Sequence, residues 1–208
     1  MTPILIDNKN IYIADCWEDV TVDQFVKLIS NADCVNPVAN IIAALTGIDY
    51  DVIESMKCDV SESVMSAISF VGNVPDFSAM KTPDKITIGD KLLPVIKDIT
   101  EECFGQKIMV QQKINDCVES GKDLSTLIAF TIATYFQPAF YNEKYSGKKA
   151  EEFEQITKHC KILEAFPVAN FFLSRYINSQ QKKTSTSTSR QQKKNSKQAL
   201  KDLTSSVL

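Results

Sequence analysis

Two kinds of hydrophobic pattern run along the chain. Short β-prone runs bounded by turn residues occur near its start and again before its middle, and elsewhere apolar residues recur every three or four positions. Ile4-Leu5-Ile6 and Ile11-Tyr12-Ile13 flank the turn-forming Asp7-Asn8-Lys9-Asn10, which predicts an antiparallel hairpin. Lys85-Ile86-Thr87-Ile88 and Lys91-Leu92-Leu93 flank Gly89-Asp90, a two-residue hairpin connection, and Pro94 ends the second strand or puts it on an edge.

The helical segments announce themselves by their caps. Thr21 and Gln24 have capping-box spacing, with Val20 and Phe25 placed as a hydrophobic staple and Leu28 and Ile29 continuing the apolar face. Asn36-Pro37 starts a second helix through Ile41, Ile42 and Leu45, and Gly47 is a natural stop. Asp49 caps a short third helix holding Val52, Ile53 and Met56, and Ser61 caps a fourth with Val64, Met65, Ile68 and Val71. Residues 73–85 hold two prolines and read as loop. Thr100-Glu101-Glu102 suits the positive end of a longer helix running through Ile108, Met109 and Ile114 to near Gly121. Asp123 caps the most apolar helix, Leu124 to about Gln137, expected at the centre of the core. After a polar loop at 141–149, Ala150 to Phe166 is helical, and Pro167 restarts or kinks a last helix ending near Ile177. The pattern predicts one mainly α domain over residues 1–177, with seven or eight helices and two small β-hairpins.

Charge separates this domain from the C-terminal tail. Residues 178–208 hold seven of the 23 basic residues and one of the 26 acidic ones, so the tail carries +6 and the body −9. Thr184 to Ser189 alternates Thr and Ser between Gln and Lys, a composition too poor in apolar side chains to order itself, which predicts a flexible basic tail. Ala199, Leu200, Leu203 and Val207 then recur at helical spacing, as in a docking peptide, and Leu200, Leu203 and Val207 are the candidate partner-binding residues. The tail lysines could contact phosphates, but no aromatic follows Ile177 to stack on a base, and the acidic body opposes nucleic acid.

Residues that could carry chemistry are sparse. His159 is the single histidine and no two of the six cysteines are fewer than fourteen positions apart, which argues against a zinc site. His159 sits beside Cys160 in a charged stretch with Glu151, Glu152, Glu154, Lys158 and Lys161, so an exposed histidine is expected rather than half of a catalytic pair. The glycines form no phosphate-binding loop, and the acidic clusters at 101–102 and 151–154 suit solvated helix starts better than a metal. No catalytic residue, metal or cofactor is therefore expected. No secretory pattern opens the chain and no apolar run reaches the roughly 18 residues of a spanning helix, so free thiols in a reducing compartment and no membrane contact are expected. Trp17, the one tryptophan, is read as packing the first hairpin onto the helices, with an exposed interface anchor as the alternative.

Four segments carry a resemblance. Trp17-Glu-Asp-Val-Thr-Val-Asp-Gln-Phe25, Ala44-Leu-Thr-Gly-Ile48 with Val52-Ile53, Ile99-Thr100 with Phe104-Gly105-Gln106, and Ala165-Phe-Pro-Val-Ala-Asn-Phe-Phe172 resemble small helical morphogenesis proteins of tailed bacteriophages and prophages. Such proteins are described as tail assembly chaperones or minor virion components. The resemblance implies a non-enzymatic protein that binds phage tail or other virion proteins in the host cytoplasm, or resides in the virion. A stoichiometric subunit of tail or neck and an unrelated cytoplasmic helical adaptor are the alternatives, and homo-oligomerisation stays open.

Overall fold

The computed structural model describes residues 1–6, 9–30, 36–55, 58–97 and 103–184. Two antiparallel strand pairs and eight α-helices are present among them. β1 (Thr2–Ile6) pairs with β2 (Lys9–Ile13), with Thr2 opposite Ile13 and Ile6 opposite Lys9. Asp7 and Asn8 of the expected turn lie outside the described residues. β3 (Lys85–Ile88) and β4 (Lys91–Pro94) form a hairpin in which Gly89, at φ 59°, supplies the positive φ that the tight connection needs. Ile86, Ile88 and Leu93 are buried on its inner face while Lys85, Thr87 and Leu92 face out. The outer edge of β3 is closed by α8, where Glu164 Oε2 accepts the Thr87 amide at 3.0 Å.

The expected caps set the first helices. α1 (Val22–Ser30) opens on a reciprocal box, Thr21 N donating to Gln24 Oε1 at 2.9 Å and Gln24 N to Thr21 Oγ1 at 3.3 Å. α2 (Pro37–Thr46) has Asn36 as its cap, accepting from Ala39 N, and stops at Gly47 with φ 71° and its amide on Ala43 O. Asp49 caps α3 (Tyr50–Glu54) through Asp51 N. α4 (Cys58–Ala67) and a 3-10 turn at Ser69–Gly72 come next. The strand pair β1–β2 packs beside α2 and α4.

α6 (Ile128–Tyr141) is the central helix, entered through a 3-10 turn at Leu124–Leu127 that Asp123 caps. Residues 128–134 are all buried, because a helix apolar or Thr-lined on every side has no face to give to water. It packs against α5 (Phe104–Glu119), α7 (Gly147–Thr157) and α8 (Ile162–Thr184). The main core also holds an aromatic cluster joining distant segments: Trp17, Phe25, Phe77 and Phe166, with centroids 4.7 Å apart for Phe77–Phe166 and 6.1 Å for Phe25–Phe166. Trp17 Nε1–H donates to Asn73 O at 2.9 Å, so the packing reading of Trp17 holds and its polar atom is satisfied. A second, smaller core lies under α5, where Val110, Ile114 and Cys117 meet Leu124, Leu127 and Phe130 with Leu173, Tyr176 and Ile177 of α8.

Four boundaries differ from those expected. Ser61 does not cap α4 but falls within it, the helix having begun by Cys58. Thr100 lies outside the described residues, and α5 begins at Phe104 with Cys103 as cap and Gln106 Oε1 accepting the Cys103 amide at 3.1 Å. The break between the last two helices is at residues 158–161 rather than at Pro167, which sits inside α8. Its cause is tertiary: Val22 N donates to Cys160 O, Asp23 N to Lys158 O and Ile162 N to Val20 O, so the entry of α1 and this turn fill each other's free backbone groups. α8 then runs through Thr184, past Ile177, over a sequence with neither Gly nor Pro to stop it. Met56 and Cys34 lie outside the described residues.

Candidate interaction surface

Leu200, Leu203 and Val207 lie outside the described residues. The body contributes a surface that sequence periodicity did not single out. α5 buries Gln106, Val110, Ile114 and Cys117, spaced i, i+4, i+8 and i+11. Its N-terminal end is pinned further by Gln106 Nε2, which donates to Thr134 O of α6 at 2.9 Å. Outside that buried arc Phe104 is 77% exposed, Ile108 43% and Val118 56%. At 3.6 residues per turn these three share a stripe about 80° wide with Gln111 and Asn115, which lie between Ile108 and Val118. Single exposed apolar residues are ordinary, whereas Phe104 and Ile108 stand one turn apart and Val118 shares their side of the helix, which makes this side a candidate contact surface. The exposed Glu119 lies near its C-terminal end and the half-buried Lys107 near its N-terminal end.

On the far side of α5 from this stripe, an open groove of about 620 Å³ runs between the end of α1 and the second half of α5. Ile29, Lys113, Asp116, Lys122, Asp123 and Leu127 are among its lining residues, so two lysines and two aspartates balance.

The cysteine–histidine neighbours do not form a working pair. His159 is exposed in the α7–α8 turn, while Cys160 is buried and burial pushes its thiol up to about 12. A thiol held protonated is not a nucleophile at neutral pH. Cys16, Cys103, Cys117 and Cys160 are free of disulfides.

Asp15, Cys16 and Asp19 bring ligand atoms within 4.8 Å of one another. Cations of the chain itself sit there: the Met1 ammonium lies 3.0 Å from Asp15 and 2.5 Å from Asp19, and Lys161 Nζ is 3.4 Å from Asp19. The Met1 hydrogen bond, then Lys161, hold the Asp19 carboxyl below the usual range. The cluster ties the start of the chain to the turn before α8. On α7, burial raises the Glu154 carboxyl against the opposing pull of Lys158 and Lys113.

No protein family, no curated protein and no solved structure matches the chain. Among the described residues no helix is long and apolar enough to cross a membrane.

Proposed function

We propose that this chain is a non-enzymatic morphogenesis protein of a tailed bacteriophage, of the assembly-chaperone kind, acting by binding an aggregation-prone virion protein. The observation that carries the reading is the exposed stripe of Phe104, Ile108 and Val118 on a helix whose buried face is anchored in the core. A rigid helix presenting apolar side chains to solvent can cover an apolar segment of a partner, and no covalent step is required of it. The sequence resemblance supplies the setting. Its segments include Trp17, Phe25 and Phe166, which meet in one aromatic cluster, and the Phe104-Gly105-Gln106 start of α5.

The test is a pull-down of the full-length chain from cells producing particles whose genome encodes it, beside a mass-spectrometric inventory of the purified particles. Capture of tail or other virion proteins, with the chain missing from the particles, supports the chaperone. A fixed copy number in the particles would make it a structural subunit instead. Capture of no virion protein, with none of the chain in particles, would remove the phage reading.

A further inference from the structure

We propose that α5 pairs, parallel and in register, with α5 of a second copy of this chain, so that the free protein forms a two-fold dimer whose interface covers the exposed stripe. The inference rests on the reading of that stripe as a contact surface, for which a second copy and a client compete. Its spacing leads to the proposal. Phe104, Ile108, Gln111, Asn115 and Val118 follow one another at steps of four, three, four and three residues. That alternation is the a/d repeat of a coiled-coil seam, which keeps one line of side chains facing a partner helix. Ile108 and Asn115 take the a positions, and Phe104, Gln111 and Val118 the d positions. The seam lies outside the arc that holds α5 to the body. Gln106, Val110, Ile114 and Cys117 are buried, whereas Phe104, Ile108, Asn115 and Val118 are exposed and Gln111 is half-buried. The helix is already formed and anchored, so pairing does not have to order it first.

The occupant follows from the two amides in the middle of the seam. A wholly apolar helix laid along its full length leaves the Gln111 and Asn115 amides covered and unpartnered, which is costly. A second α5 in parallel register sets each amide against its own counterpart. A carboxamide both donates and accepts, so like pairs with like. A polar Asn at an a position is the feature that fixes register and strand number in parallel helix pairs. The apolar layers match in the same register, Phe104, Ile108 and Val118 each meeting its counterpart. Antiparallel pairing centred on Gln111 instead sets Asn115 beside Ile108 and leaves the Asn amide against alkyl groups. Charge on the helix does not oppose the contact, because Lys107 and Lys113 balance Asp116 and Glu119 within a body at −9. Five side chains on one helix fall well short of the roughly 20 residues a side of a standard interface, so the dimer is a weak one that forms at high micromolar concentration.

The experiment uses the full chain carrying Asn115→Cys or, one position on and about 100° round the helix, Asp116→Cys. Each is held in a glutathione redox buffer at about 100 μM, where a weak interface is populated. Mass spectrometry maps the links and separates them from any made through native cysteines. A disulfide needs its two Cα atoms within about 7 Å, so the 115–115 link should exceed the 116–116 link about tenfold or more. In sedimentation velocity the unaltered chain should dimerise with rising concentration. Asn115→Asp sets two carboxylates face to face and should raise the dissociation constant about tenfold or more, with circular dichroism unchanged because the position is exposed. Equal linking at the two positions, or a monomer at every concentration up to about 500 μM, would overturn the proposal. So would a mixture of Ile108→Cys and Asn115→Cys chains in which the 108–115 link dominates, the mark of antiparallel pairing. No client is present in these measurements, so the client reading stands or fails separately, on whether the full chain captures virion proteins.

Discussion

At the scale of single residues, the best-placed side chains are those that end or begin an element. Thr21 and Gln24 fill each other's backbone needs, and Gln24 Nε2 also donates to Leu45 O at 2.7 Å, tying α1 to the end of α2. Thr21→Ala should cost about 1 kcal/mol in chemical denaturation, the ordinary worth of an N-cap. Gly47→Ala forces an L side chain to φ 71° and should cost about 1–2 kcal/mol by the same measurement, although open space surrounds the position. Glu154 yields a pH test. Burial raises its folded-state carboxyl above the unfolded value, so its stabilising contribution is complete below about pH 4 and is lost as pH rises through the folded pKa. The ionised form is therefore a cost at neutral pH. Glu154→Gln should raise the thermal midpoint at pH 7–8, with the gain shrinking towards pH 4. An equal gain at both pH values would show that packing, not ionisation, is responsible. Of these residues, the caps were legible in the sequence because their spacing is their mechanism. The burial of Glu154 was not, because α7 reads as polar along most of its length.

Elements were legible to the extent that local rules decide them. The all-round apolar character of Leu124–Gln137 placed α6 in the middle of the core, and the Gly89-Asp90 pair placed the second hairpin. Two features depended on distant partners and could not be read locally. The break at 158–161 exists because Val20–Asp23 takes up its backbone groups, a pairing across more than a hundred residues. Phe77 belongs to a loop by its flanking prolines, yet it is buried against Phe166 because the aromatic cluster needs a fourth ring. Phe77→Ala should therefore cost about 3–5 kcal/mol, a core value rather than a loop value, by equilibrium unfolding. A loss under about 1 kcal/mol would mean that the loop does not close on the core. α5 illustrates the opposite limit. Its apolar residues are spread around more than half of the helix, so periodicity finds a helix without telling which arc is inside. The fold decides, burying Val110, Ile114 and Cys117 and leaving Phe104, Ile108 and Val118 in solvent.

At the scale of the whole molecule, an acidic body meets a basic C-terminal segment. Residues beyond Thr184 are poor in apolar side chains, so the body's stability should not depend on the residues beyond α8. Truncation after Thr184 should move the thermal midpoint by no more than about 2 °C. A fall of many degrees would mean that the segment is part of the fold. Binding of virion proteins by the outward face of α5 can be put to a comparison of two baits, the full-length chain and its Phe104→Ser, Ile108→Ser variant, in pull-downs from particle-producing cells. Both side chains are solvent-facing, so circular dichroism and the thermal midpoint of the variant should match those of the parent. The parent should capture tail or other virion proteins, and the variant should lose about tenfold or more of that capture. Equal capture by the two baits would move the binding surface elsewhere on the molecule and end the role assigned to α5.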